Sequence, residues 1–295
     1  MVVQELAYLG DLDVVKELQE LKTLLKKKNI VIGIVESLEG ITHVIKVMCD
    51  EEVDNEKNCI RINLYISNIL YNIVIQKYKE KEMFQFLTDT YFFLKQEEIL
   101  EVEEKIMNVL LCGGMPKDDI FIYCSNKVNI IIDKIKECIE ENKKININGF
   151  ITFRMRELRE DIEEVIDKVV EKYMVEKEYK EFIGLLKYFV DIQESKIEEV
   201  NLIIQPLGGY IITDGYGEDI FSLFLKDLSE CKLGIDANVE DILISGLITT
   251  APNHITIHKK EECTNKEFID TILGVFGSRV TLCNGCELCT STITK

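Results

Sequence analysis

Cys283, Cys286 and Cys289 follow one another at two-residue intervals in the segment Arg279-Val-Thr-Leu-Cys-Asn-Gly-Cys-Glu-Leu-Cys. Two successive C-x-x-C steps let three thiolates converge on one ion, because each spacer is just long enough to turn the chain around a tetrahedral centre. Gly285 stands where such a turn calls for a positive φ or a close backbone approach. Closed zinc sites take Cys₃His or Cys₄, so the run needs a fourth ligand, and His258 and Cys263 are the in-chain candidates. Other chemistries use the same residues. A C-x-x-C-x-x-C run opens the bacterial ferredoxin pattern of an iron–sulfur protein, although the x-x-x-C-P continuation is absent from Thr290 to Lys295. A redox-active C-x-x-C is a third reading, without a thioredoxin-like strand before it and helix after it. The plainest reading is three ordinary reduced thiols.

His254 and His258 form H-x-x-x-H, a chelating spacing on a helix. This segment alternates like a strand behind Pro252, and on a strand the two imidazoles stand about 13 Å apart, too far to share an ion. Only His258 is placed to join the cysteines; His254 reads as a surface histidine. A second pattern is the use of arginine. Arg154, Arg156 and Arg159 fall within six residues in a chain that otherwise uses lysine almost throughout. Choosing the planar guanidinium points to carboxylate pairing, either within the chain (Glu157, Glu160, Asp161, Glu163) or with an acidic partner or a phosphate. Cys49, Cys59, Cys112, Cys124, Cys138 and Cys231 are scattered among apolar residues and read as small buried hydrophobes.

Several function classes lack their parts. With three histidines, no G-x-S-x-G and no phosphate-binding loop, hydrolase and nucleotide-triphosphatase readings find no residues to carry them. The 295 residues carry 35 basic against 53 acidic side chains, a net charge of −18. That field repels a nucleic-acid backbone and an anionic membrane surface. The first residues lack a basic n-region followed by an apolar stretch, and the apolar window Ile60–Ile75 is broken by Arg61, Asn63, Asn68 and Asn72. A cytoplasmic protein with mostly reduced cysteines is expected.

The elements that must position these residues follow from periodicity. Val14, Val15, Leu18, Leu21, Leu24 and Leu25 recur at helical spacing within 12–28, which closes in a lysine run. Two strands, 29–36 and 41–48, join around Gly40. Helices are expected at 59–80, 81–95 and 97–111, the last ended by Gly113, Gly114 and Pro116, then a strand at 119–124 and a helix at 127–142. Asn142–Asn148 is the best boundary, dividing a mostly helical α/β region, 1–147, from a C-terminal region, 148–295. There, Ile162 to Met174 and Phe182 to Ile192 read as a packed helical pair. Two short strands flank Pro206-Leu-Gly-Gly, with helices at about 218–229 and from Asn238 to before Pro252.

The last expected unit is strand His254–His258, a helix capped by Thr264 with Glu267 and closed by Gly277, then strand Arg279–Cys283. Two strands joined by a helix of this length should be parallel neighbours, and such strands present their C-terminal ends on one edge, where open α/β sheets hold ligands. His258, Cys263 and Cys283 would share that edge with Cys286 and Cys289. The fold class is therefore a mixed α/β (α+β) chain, helix-rich in its first part, with a C-terminal sheet containing a βαβ unit.

Four stretches together resemble a known family: Gly149-Phe-Ile-Thr-Phe-Arg-Met-Arg-Glu-Leu-Arg, Glu178-Tyr-Lys-Glu-Phe-Ile-Gly-Leu-Leu-Lys-Tyr-Phe-Val, Ile255-Thr-Ile-His, and the cysteine run. The combination, over roughly residues 60–295, is similar to the YtxC-like sporulation proteins. The resemblance implies a cytosolic protein of endospore-forming bacteria with a role in spore formation, and it offers no catalytic residue to carry over. The reading that combines both lines is a non-enzymatic interaction or regulatory protein with a protein partner, its C-terminal cysteines folded around zinc. The alternative is an iron–sulfur or thiol-redox protein using those cysteines.

Overall fold

The computed structural model describes residues 1–10, 12–49, 55–111, 119–206, 208–230 and 238–290. The chain divides into two compact units, Met1–Met174 and Val175–Lys295. Each builds a four-stranded mixed sheet and its own apolar core.

In the first unit the strands β1 (Val2–Leu9), β2 (Ile32–Glu39), β3 (Thr42–Cys49) and β4 (Lys144–Asn146) lie in the order β2-β3-β1-β4. The β2–β3 hairpin turns at Gly40, where φ is +66°, as its sequence position suggests. Between these strands and after them run α1 (Val14–Lys27), α2 (Asn55–Tyr78), α3 (Phe84–Thr90), α4 (Gln96–Leu110), α5 (Asp119–Glu141) and α6 (Ile147–Ile192). Helix α1 buries Val14, Leu18, Leu21 and Leu25, a single stripe at helical spacing, and carries Lys26 and Lys27 in its last turn.

β1 has no counterpart in the sequence reading. It is a central strand whose Leu6, Ala7 and Tyr8 are all buried, so the in–out alternation that marks a half-exposed strand is missing. Its Glu5 is paired on both sides, with Lys46 across β3 and Lys144 across β4.

Three expectations are corrected here. The helices expected at 59–80 and 81–95 are one run, because α2 passes into α3 through a π-helical turn, Lys79–Met83, with no break. The strand expected at 119–124 is the first turn and a half of α5. Its β-branched and aromatic residues suggest extended chain, but Cys124 begins the buried stripe Val128, Ile131, Ile135 and Ile139, and that tertiary stripe overrides local preference. The helical pair at 162–192 is one 46-residue helix, α6. Nothing between Met174 and Phe182 breaks it: Val175-Glu-Lys-Glu-Tyr-Lys-Glu contains neither Gly nor Pro. What changes there is the core being served. Leu158, Ile162, Val165, Ile166 and Val169 belong to the first core, whereas Ile183, Leu186 and Val190 belong to the second. This also moves the division of the chain. The segment expected as a boundary, Asn142–Asn148, contains β4, and Ile145, Ile147 and Phe150 are buried in the first core, so that unit continues to Met174.

The second unit has β5 (Glu199–Gln205), β6 (Gly209–Asp214), β7 (His254–His258) and β8 (Val280–Leu282) in the order β6-β5-β7-β8. β7 is parallel to both β5 and β8, so the expected parallel βαβ unit is present. Helices α7 (Phe221–Glu230), α8 (Val239–Thr250) and α9 (Lys266–Phe276) precede α10 (Glu287–Thr290). Val200, Leu202, Ile255 and Ile257 face a core shared with Phe224, Leu243, Leu247, Phe268 and Ile272. Strand alternation therefore turns Asn201, Ile203, Thr256 and His258 to the opposite face. The cap of α9 is Asn265, whose side chain accepts from Phe268 N, one residue beyond the expected Thr264; Gly277 closes the helix at φ +53°. Among the described residues no helix is long and apolar enough to cross a membrane.

Candidate metal centre

His258 ends β7 and is only 3% exposed. Cys283 follows β8 directly and extends its ladder by one bond, Cys283 N–H to the Ile257 carbonyl at 2.9 Å, which sets it beside His258. Gly285 then reverses the chain at φ +124°, a conformation disfavoured for any residue with a Cβ, and brings back Cys286 and Cys289. The result is one group. Cys286 Sγ and Cys289 Sγ lie 3.4 and 3.5 Å from His258 Nδ1. The sulfur separations are 3.7 Å for Cys283–Cys289 and 3.8 Å for Cys286–Cys289. All four ligand atoms lie within 4.8 Å of one another, close enough to hold a metal ion.

These distances can be compared with a coordination sphere. A tetrahedral ion with sulfur at about 2.3 Å and nitrogen at about 2.0–2.1 Å requires S···S edges of about 3.8 Å and S···N edges of about 3.5 Å. The four edges measured above match both values.

The electrostatics favour ligation. Burial lowers the His258 pKa, keeping the imidazole neutral and its lone pair free. Its Nε2 lies 3.1 Å from Asn201 Oδ1, and the Asn201 amide nitrogen bonds the Asp214 carbonyl, so Oδ1 is the atom left to face the ring. Nε2 therefore carries the proton, and Nδ1 points its lone pair at the three sulfurs. Cys286 precedes α10 and its thiol is held below the ordinary value by the backbone N–H groups of Cys289 and Leu288. Gly285 N–H, 3.4 Å from Cys283 Sγ, also favours a thiolate, but burial and the neighbouring sulfurs outweigh it and push Cys283 up.

Cys263 is elsewhere. Lys259 takes a left-handed φ of +55°, and the 3₁₀ turn Lys260–Glu262 carries Cys263 toward Asn265, whose carbonyl its Sγ approaches at 3.1 Å, with Tyr210 Oη at 3.8 Å. The structure thus brings four of the five expected ligands together and leaves Cys263 out. Asn201, which the sequence reading did not single out, contacts the group through strand pairing that only the β5–β7 register reveals. His254, at the other end of β7, is remote from the cysteines. The arginines are drawn apart: Arg154 pairs with Glu157 and approaches Cys138 Sγ at 3.7 Å, Arg159 pairs with Glu82, and Arg156 is exposed. Cys49 and Cys124 are buried, Cys59 and Cys138 half-buried; Cys112, Cys231 and the expected helix stop at Gly113, Gly114 and Pro116 lie outside the described residues.

Comparison with known proteins adds the relationship. The family model of the YtxC-like family matches residues 64–281, a span that holds His258 and ends just before the three cysteines. "Uncharacterized protein YtxC" of Bacillus subtilis (strain 168) is 22% identical over 225 residues, covering 74% of this chain and 76% of the relative. No solved structure matches. With its family model spanning most of the α-helical body and nearly all of the second sheet, the chain belongs to the YtxC-like family.

Proposed function

We propose that this chain is a non-enzymatic interaction or regulatory protein acting in the cytoplasm during spore formation, and that a zinc ion bound by His258, Cys283, Cys286 and Cys289 fixes its C-terminal end. One observation carries the metal: four ligand atoms from two distant segments lie within 4.8 Å of one another, and four of their six separations have the edge lengths of a single tetrahedral sphere. Zinc is the ion of choice because it is content with a closed Cys₃His sphere and has no redox demand. A full set of four protein ligands leaves no open position for substrate, which fits a structural role. The setting in spore formation rests on the family resemblance, and the partner is a protein whose identity the chain does not specify.

The second reading, an iron–sulfur or redox-thiol protein, has the closeness of Cys286 and Cys289 in its favour, together with strand β8 before the run and the one-turn helix α10 that carries Cys289. Metal analysis of protein purified without chelator separates the two. Near one equivalent of zinc and a colourless solution supports the first; iron with sulfide and a brown colour, or no metal and a facile disulfide, refutes it. Cys286→Ser should lower the zinc content and expose the segment after β8 to protease while leaving Met1–Met174 resistant.

A further inference from the structure

A recess of about 290 Å³ in the first unit is walled by Tyr78, Glu82, Phe86 and Asp89 on one side and by Arg159 and Glu163 of α6 on the other. Three independent features meet there. Tyr78 is fully buried, and its hydroxyl has no hydrogen-bond partner. Buried polar groups are almost always satisfied, so an orphan hydroxyl in a recess wall marks a position that a ligand can complete. The backbone leaves the α-helical register directly after Tyr78, in the π turn Lys79–Met83 that carries Glu82, and such turns are concentrated at functional sites. The charges are unbalanced: a single guanidinium, Arg159, paired with Glu82 and also attracting Glu163, faces three carboxyl groups, those of Glu82, Asp89 and Glu163. Burial raises the Glu163 pKa and, with the neighbouring carboxylates, outweighs the lowering by Arg159.

The missing charge is positive, and it is not a metal ion. Among the described residues, only the His258 group gathers its His, Cys, Asp and Glu ligand atoms tightly enough to hold one. The volume, about 290 Å³, is near the lower end of small-molecule sites and larger than a bare ion needs. We propose that this recess binds a small organic cation bearing primary ammonium groups, which donates to the Tyr78 hydroxyl oxygen and the Glu163 carboxylate while Phe86 lies against its alkyl chain. The acidic field of the whole chain raises the local concentration of such cations. The guanidinium of Arg159 orients Glu82 at the rim, which gives one member of the arginine group a task within the chain.

The test uses the full chain and 1,4-diaminobutane as probe, followed by calorimetry and by the tyrosine signals in NMR. Saturable binding is expected, absent for the neutral 1,4-butanediol and unaffected by magnesium. Tyr78→Phe removes only the orphan hydroxyl, so the fold should be as stable as the parent or more so, while affinity for the diamine falls about tenfold or more. Because that variant leaves the net charge unchanged, the loss distinguishes the site from general attraction to an acidic surface. Glu163→Gln should weaken binding as well. The proposal is overturned if the diamine does not bind, if butanediol or magnesium competes equally, if Tyr78→Phe binds as the parent does, or if Tyr78→Phe lowers the unfolding temperature and so reveals a partner for the hydroxyl within the fold.

Discussion

Replacing Asn201 by Ala should weaken zinc binding although Asn201 would touch no zinc. In the parent, Asn201 Oδ1 accepts from His258 Nε2–H at 3.1 Å, and His258 is 3% exposed, so loss of the acceptor leaves the N–H in a largely dry position. Without metal, the variant imidazole has an escape. Its proton can move to Nδ1 and be donated to Cys286 Sγ, 3.4 Å away. With metal bound, Nδ1 is occupied, the proton must stay on Nε2, and a buried N–H is left unpaired. The whole penalty then falls on the bound state. A buried unsatisfied donor costs about 1–3 kcal/mol, equivalent to a loss of about 5- to 140-fold in affinity. That agrees with the roughly 10–100-fold typical of residues that orient a metal-binding histidine. Competition for zinc against a chromophoric chelator at neutral pH measures the change, with circular dichroism of the metal-free protein as the control for folding. Asn201→Asp keeps an acceptor and should retain affinity. If Asn201→Ala binds zinc as tightly as the parent while folded, or if Asp loses as much as Ala, the tautomer argument fails.

Cys263→Ser should leave zinc content unchanged, since its Sγ is turned to the Asn265 carbonyl; a fall in metal would restore it as a ligand. Gly246→Ala places a Cβ against the fully buried Phe224 ring, and overpacking of about 1–3 kcal/mol should appear as an earlier thermal transition. An unchanged midpoint would show that Phe224 can move aside. Glu5 should contribute to acid sensitivity. Its pKa is lowered, first by the hydrogen bond from Lys144, so its stabilisation is present above its ordinary value of 4.5 and is lost as pH falls through the lower folded value. Denaturant titrations of Glu5→Gln and parent protein should therefore differ at neutral pH and converge in acid, and a constant gap would contradict the assignment.

The legible parts of this chain are those whose signal is local. Helix α1 declares itself because its stripe, its lysine end and its packing agree, and the hairpin β2–β3 because Gly40 supplies the positive φ between two β-branched runs. The cysteine run and His258 could be joined in advance because one inference, that β7 and β8 are parallel neighbours, places both at the same sheet edge. What stayed hidden depends on partners remote in sequence. β1 lacks alternation because β3 and β4 flank it and both of its faces are covered. Residues 119–124 have strand-forming side chains, and only the continuing buried stripe shows that they are helical. The single helix α6 reads as two because the polar stretch Glu176–Glu181 separates the residues that serve the first core from those that serve the second. The choice of His258 over Cys263 as the fourth member of the group depends on the turn that follows the left-handed Lys259, which no composition rule demands.

The central position of β1 has a consequence for synthesis. Its partner on one side, β3, ends at Cys49, but its partner on the other, β4, begins at Lys144. A ribosome adding about 5–20 residues per second needs on the order of 5–20 seconds to cover that interval. Throughout it, one rim of β1 presents unpaired N–H and C=O groups while the apolar helices α2, α4 and α5 are still emerging. Such a rim invites pairing with a neighbouring nascent chain. Glu5, in the middle of the strand, places a carboxylate on it from the outset. The side chain that later pairs with Lys144 thus guards the vacancy until Lys144 arrives.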